Sequence, residues 1–148
     1  QHDCYFMIQT NPDRHQLINY TNGTIDKSKI LEYADQVEPW FDFMKTMDFA
    51  VSYRIHGAMA AISNEVPAVV IPTDIRILEL VDAMKLPLLT MEKTKTKKYT
   101  SLLDILDDVL VDFDDFEENR RDKLKQYKRM LGDMGLEIDP TLNTVLTQ

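Results

Sequence analysis

Short, largely apolar runs recur along the chain. They occupy residues 4–8, 47–53, 68–71 and 86–89. Runs of this length predict strands, and a run without polar alternation, such as 68–71, is typical of a strand buried on both faces of a parallel sheet. The run 68–71 is the clearest, because it is rich in β-branched residues and follows a proline.

Stripes of apolar residues at helical spacing separate and follow these runs, and they predict helices. We expect helices to start near Pro12, at Asp26 (with Ile30, Ala34 and Val37 on its apolar face), at Pro39, near Ala58, at Asp74 and at Ser101. A last long helix carries an apolar face of Phe113, Phe116, Leu124, Tyr127, Leu131 and Met134. Gly135 is expected to end it, and the lysine-rich stretch 93–98 is expected to be a polar loop.

The alternation of strand and helix between residues 47 and 89 predicts an α/β fold with a parallel sheet flanked by helices. We find no domain boundary before residue 135, so residues 1–135 are predicted to form one domain and residues 136–148 a polar tail. The three or four strands are few for a free-standing domain of this class. The chain also enters a strand-like run almost directly after Gln1, and we therefore expect it to be one lobe of a longer, two-lobed protein.

Composition and charge narrow the possible functions. The chain has 148 residues and a formal net charge of −8, which argues against nucleic acid as the main partner. Its apolar runs are far shorter than the ~20 residues that cross a bilayer, and no signal peptide is evident, so a cytoplasmic location is expected. The single cysteine and three histidines show no metal-ligand spacing, and four glycines form no nucleotide-binding motif.

The candidate site is Arg54-Ile55-His56-Gly57, between a predicted strand and a predicted helix. Ligands of open parallel sheets bind beyond the carboxyl ends of the strands, where the first N–H groups of a helix attract anions. Arg54 adds a fork of donors and His56 a titratable proton, while Gly57 lets an anion approach the backbone. Asp74 and Arg76 follow the next strand and extend the same cleft.

An ordinary structural interpretation stays open for each of these residues. Arg54 can pair with an acidic residue and His56 can cap the helix, because structural ion-pair networks imitate sites. Asp74 is by default the N-cap of the helix that follows it.

The same residues resemble a known family. Asp48-Phe49-Ala50-Val51-Ser52-Tyr53-Arg54-Ile55-His56-Gly57, then Val66-Pro67-Ala68-Val69-Val70-Ile71-Pro72 and Asp74-Ile75-Arg76, are similar to the C-terminal signature of the polysaccharide pyruvyl transferases. In that family the strand ends in Arg-Leu-His-Gly and the helix leads to Gly-Val-Pro. Here Ile55 replaces the Leu, Glu65 replaces the Gly, and Arg76 stands where Lys is common.

The resemblance implies the Rossmann-like C-terminal lobe of a two-lobed, GT-B-like bacterial enzyme. Such an enzyme moves the pyruvyl group of phosphoenolpyruvate onto a sugar of a surface polysaccharide and leaves a ketal. Arg54 and His56 are then the catalytic candidates, and both bind the donor together with Gly57, Asp74 and Arg76. The implied partners are phosphoenolpyruvate, a glycan acceptor and the missing N-terminal lobe, with no separate cofactor or metal. The lobe alone is expected to be inactive.

Two alternatives remain. A nucleotide-sugar glycosyltransferase shares a similar His-Gly-helix-Val-Pro layout, although the helix after Gly57 is apolar until Glu65 and lacks carboxylates for ribose or sugar hydroxyls. A non-catalytic binding lobe of the same fold is the other alternative.

Overall fold

The computed structural model describes residues 3–8, 11–32, 36–137 and 139–140. The chain divides into two compact units, residues 1–46 and residues 47–148. In each unit a pair of short parallel strands lies among helices, which confirms the predicted α/β class with parallel strands.

The first unit runs in the order β1 (Phe6–Ile8), α1 (Asn11–Tyr20), β2 (Ile30–Glu32) and α2 (Val37–Met44). Strands β1 and β2 pair in parallel, with Phe6 opposite Ile30. The helices predicted from Pro12 and Pro39 are confirmed.

The helix predicted from Asp26 is wrong. Asp26 caps only a single 3₁₀ turn, Lys27–Lys29, by accepting a hydrogen bond from the Ser28 N–H at 2.9 Å. The chain then enters β2, where Ile30 is buried. Pairing with β1 therefore overrides the helical spacing of the apolar residues, and Ala34 of that predicted face lies outside the described residues.

The second unit contains the longer series of elements. In chain order these are β3 (Ala50–Ser52), α3 (Ile55–Ile62), β4 (Ala68–Val70), α4 (Ile75–Met84), α5 (Met91–Thr96), α6 (Leu102–Leu106) and α7 (Phe113–Asp133). Strands β3 and β4 are parallel, with Ala50 opposite Ala68 and Ser52 opposite Val70. Leu88 extends this pairing through a parallel bridge to Val70 and an antiparallel bridge to Leu110.

The core of this unit is built around β4. All three β4 residues are buried, as the unalternating run predicted, and Ile71 and Leu89 continue the buried cluster. Helix α3 contacts both β3 and β4, and its buried residues include Ala58, Ala60 and Ala61. Small side chains on this face let the helix backbone lie close to the sheet, which holds the first turn of α3 at a fixed position beside the strands.

One prediction for the later elements is wrong. The lysine-rich stretch is not a loop but helix α5, capped by the Thr90 hydroxyl, which accepts from the Lys93 N–H at 3.3 Å. The predicted long last helix is confirmed as α7; none of its described residues is buried, and Phe113 is 69% exposed.

The predicted end of α7 is confirmed. Gly135 has a positive φ of 68°, and the Leu136 N–H donates to the Leu131 carbonyl at 3.0 Å. A left-handed residue followed by this bond is the usual glycine-terminated end of a helix.

Among the described residues, no helix is both long enough and apolar enough to cross a bilayer.

Candidate functional site

The predicted site residues follow two neighbouring strands of the second unit. Arg54 and His56 come directly after β3, whereas Asp74 and Arg76 come after β4. The two strands are parallel, and the Ile71 N–H donates to the Ser52 carbonyl at 2.9 Å, which continues the ladder to the ends of both strands. Both loops therefore leave the sheet at its carboxyl edge, on strands about 4.8 Å apart.

The β3–α3 junction is organised by Ser52. Its hydroxyl donates to the Arg54 carbonyl at 2.6 Å and accepts from the Arg54 N–H at 3.2 Å. Arg54 is the N-cap residue of α3, with an extended backbone (φ −124°, ψ 131°). Ile55 is buried at the start of α3, while Arg54 and His56 are exposed on either side of it.

Helix α3 begins without a capping side chain. Within the described segment 36–137, the Arg54 side chain makes no capping hydrogen bond to α3. The first N–H groups of a helix carry partial positive charge and attract anions. Arg54 and His56 border this turn, so the junction presents positively charged or donating groups at the edge of the sheet.

Gly57 leaves room for a neighbouring side chain, whereas its contact with a ligand stays a prediction. A Cβ atom at position 57 would lie 2.4 Å from the Ser52 Oγ and 3.3 Å from the Ser52 Cβ. Gly57 is not among the glycines with positive φ, so its backbone does not require glycine. The missing side chain makes room for Ser52, a residue that our sequence analysis missed. A serine two residues before a helix N-cap is a known turn-forming signal that could have identified it.

At the β4–α4 junction, Asp74 bonds both to the start of α4 and to Arg76. One Asp74 carboxylate oxygen accepts from the Ile77 N–H at 3.0 Å, and the other accepts from Arg76 Nη2 at 3.1 Å. The Ile77 N–H, and after it the Arg76 guanidinium, hold the pKa of the Asp74 carboxyl below its usual value. The N-cap interpretation of Asp74 is thus confirmed, whereas direct contact of Asp74 or Arg76 with a ligand stays a prediction.

A groove along α4 is a poor alternative for an anion. Its walls include Leu78, the carboxylates of Asp82 and Asp115, and Lys85, which pairs with both carboxylates. Acidic side chains outnumber this lysine and oppose the binding of a phosphate, and the lining contains neither Arg54 nor His56. Nor do the described residues include a group of three or more His, Cys, Asp and Glu placed to hold a metal ion.

A family model matches part of the chain. The model of the family described as polysaccharide pyruvyl transferase matches residues 2–75, half of the 148-residue chain. The matched segment contains the whole β3–α3 junction and Asp74, and it ends one residue before Arg76. No curated protein sequence and no solved structure gave a significant match. The chain belongs to the polysaccharide pyruvyl transferase family.

Proposed function

We propose that this chain is the donor-binding lobe of a bacterial, cytoplasmic transferase that moves a pyruvyl group from phosphoenolpyruvate to a sugar of a surface polysaccharide. The observation that carries the proposal is the β3–α3 junction. Within a segment that matches the family, Arg54 and His56 border the uncapped first turn of α3 at the carboxyl edge of parallel strands.

Phosphoenolpyruvate suits this junction because it is small and carries both a phosphate and a carboxylate. A guanidinium binds either group through two parallel hydrogen bonds. The N–H groups of the helix start accommodate the remaining negative charge. Arg76 contributes a second positive group, and Asp74 offsets part of its charge.

Ketal formation combines one donor with two sugar hydroxyls and releases inorganic phosphate. A proton adds to the donor's methylene carbon, which becomes the methyl group, and a hydroxyl oxygen bonds to the adjacent carbon. The bond from that carbon to the phosphate oxygen breaks, and the second hydroxyl takes its place. One hydroxyl proton replaces the proton given to the methylene, and the other leaves with the phosphate.

In this scheme Arg54 holds the anion and offsets the charge that grows on the departing phosphate. His56 contacts the phosphate and supplies a proton either to the methylene or to the leaving group. The acceptor sugar binds to a second lobe, because two-lobed transferases assemble their sites across a cleft. Pyruvyl transfer by residues 1–148 alone would contradict this division of roles.

A donor competition tests the proposal. Phosphoenolpyruvate is titrated against UDP- and GDP-sugars on the purified protein, with calorimetry as the readout. We expect phosphoenolpyruvate to bind and the nucleotide sugars not to displace it. Displacement by nucleotide sugars, with no binding of phosphoenolpyruvate, would replace the proposal with a glycosyltransferase donor lobe. Binding without transfer by the intact protein would indicate a non-catalytic lobe.

The same titration, combined with turnover measured on the intact enzyme, separates the two possible roles of His56. His56→Gln keeps a hydrogen-bond donor but removes the titratable proton. If His56 is the acid, this variant binds phosphoenolpyruvate normally and loses most of its turnover, since general acids contribute about 10²–10⁴-fold. Unchanged turnover would reduce His56 to a phosphate contact.

A further inference from the structure

Ser52 and Gly57 form a complementary pair next to the proposed anion site. We infer that Ser52 is a positioning residue for Arg54, and that Gly57 is required by the Ser52 hydroxyl rather than by the ligand. The effect on donor binding and turnover rests on the proposed function. The Ser52–Gly57 contact itself does not depend on it.

The Ser52 hydroxyl is bonded to both backbone groups of one residue. It accepts from the Arg54 N–H and donates to the Arg54 carbonyl. Both peptide groups that flank the Arg54 Cα are thereby fixed relative to the end of β3. The Arg54 side chain leaves from this restrained Cα, so the hydroxyl limits the directions that the guanidinium can take.

Ser52 is itself fixed by the sheet. It lies in β3 opposite Val70, and its carbonyl accepts from the Ile71 N–H at 2.9 Å. Three hydrogen bonds thus connect the buried strand β4 with the exposed Arg54 through one residue. A site that must hold an anion in a single geometry needs this kind of support from a rigid element.

Gly57 provides the space that this arrangement needs. A Cβ at position 57 would overlap the Ser52 Oγ at 2.4 Å, so the hydroxyl would have to turn away and lose both bonds to Arg54. The contact with the Ser52 Cβ, at 3.3 Å, is tight but requires only a small adjustment. An alanine at position 57 is therefore harmful mainly when residue 52 carries a hydroxyl.

A ligand-based role for Gly57 predicts a different result. If the glycine were needed so that an anion can approach the α3 backbone, a methyl group at position 57 would obstruct the ligand whatever residue occupied position 52. The two explanations therefore differ in whether the effects of substitutions at 52 and 57 add.

The test is a double-mutant cycle on the intact two-lobed enzyme with wild type, Ser52→Ala, Gly57→Ala and the double variant. Thermal unfolding, phosphoenolpyruvate affinity, KM and kcat are measured for each. We expect Gly57→Ala to weaken donor affinity tenfold or more and Ser52→Ala to weaken it a few-fold. The double variant should match Ser52→Ala, because the hydroxyl that clashes is gone. Gly132→Ala is the matched control, since a Cβ there meets nothing within 4 Å.

Three outcomes decide the inference. Equal losses in Gly57→Ala and the double variant would assign the glycine to the ligand and overturn the pairing. Non-additive unfolding temperatures with normal donor affinity in Ser52→Ala would leave Ser52 a structural residue and overturn its positioning role. If wild type does not bind phosphoenolpyruvate, the proposed function fails, while the unfolding temperatures still decide whether the Ser52–Gly57 pair exists.

Discussion

The β3–α3 and β4–α4 junctions have the same order of elements but different side chains at the start of the helix. In both, a short parallel strand leads into a helix at the carboxyl edge of one sheet. At the β4–α4 junction a carboxylate, Asp74, caps the helix and pairs with Arg76. At the β3–α3 junction the N-cap residue is the cation Arg54, and the Ser52 hydroxyl bonds to the Arg54 backbone.

We propose that the difference reflects an anion site at the start of α3. At the β4–α4 junction Asp74 offsets part of the positive potential of the helix start. Within the described residues the N-cap residue of α3, Arg54, makes no side-chain cap, and such a cap is worth about 1 kcal/mol. In our proposal phosphoenolpyruvate binds where this cap would lie.

Removing the cation at each junction tests this difference most strongly. Arg54→Ala is expected to lower kcat/KM for phosphoenolpyruvate at least tenfold, because losing a charged hydrogen-bond partner costs about 2–5 kcal/mol. Arg76→Ala is expected to lower it only about threefold, because the exposed Arg76 side chain is already engaged by Asp74. Steady-state kinetics of the intact enzyme at varied phosphoenolpyruvate concentration measure kcat/KM for both variants.

Arg54→Lys and Arg76→Lys serve as controls, because lysine keeps the positive charge but lacks the paired N–H donors of the guanidinium. Equal losses in Arg54→Ala and Arg76→Ala would mean that the two junctions share the donor equally, and the comparison would fail.

The charge of Asp74 gives the next largest expected effect, and it depends on pH. Because the folded-state pKa of Asp74 lies below its ordinary value of 3.8, its stabilising contribution is present above about pH 4. The contribution is lost as the pH falls through the lowered pKa. Asp74→Asn keeps a capping oxygen without the charge. Its melting temperature should therefore lie below that of wild type at pH 7 and approach it as the solution becomes more acid.

Thermal unfolding monitored by circular dichroism between pH 2 and pH 7 measures this convergence. A difference between the two proteins that stays constant over that range would show that the carboxylate charge does not stabilise α4.

Substitutions at the C-terminal ends of α3 and α4 are expected to have the smallest effect on stability. Both helices should respond in the same way. α3 is followed by Glu65 at φ 62°, and α4 by Lys85 at φ 56°. This left-handed region costs a residue with a side chain about 1–2 kcal/mol relative to glycine, which the greater freedom of glycine in the unfolded chain partly offsets. Glu65→Gly and Lys85→Gly should each stabilise the fold by about 0.5–1 kcal/mol.

Urea unfolding measures this gain, and phosphoenolpyruvate affinity should stay unchanged in both variants. A destabilised Glu65→Gly protein would contradict the positive φ at that position. It would also mean that the Glu in place of the family's usual Gly makes contacts that the backbone geometry does not explain.

The sequence predicted those parts of the fold that depend on local pattern. β4 was recognisable because it is apolar throughout, and the cap at Asp74 because an acidic residue precedes a helical stripe. The turn at Ser52 could have been predicted from its position two residues before the N-cap. Its contact with Gly57 could not, because that contact depends on α3 folding back beside β3. The position of Arg54 and His56 at a strand end was predicted, but their contact with a ligand remains to be tested.

Helix α5 was mispredicted as a loop because its composition conceals its contacts. The segment is polar, yet Lys93 in α5 and the C-cap residue Lys97 both pair with Asp108, with Nζ–Oδ distances of 3.2 Å and 2.7 Å. The Lys97 ammonium, followed by Lys93 and the Tyr99 hydroxyl, lowers the pKa of Asp108 to about 2. A carboxylate eleven residues away is not visible in the periodicity of the segment.

The register of β3 and β4 has a consequence for how the chain folds. Ala50 pairs with Ala68, eighteen residues further along, and α3 bridges the two strands. Parallel strands are usually slow to pair because the loop between them is long, and short sequence separations favour fast formation. We therefore expect the segment from Ala50 to Ile71, and with it the Arg54 turn, to gain protection from hydrogen exchange early in refolding. Protection that appeared first in α7 would reverse this order.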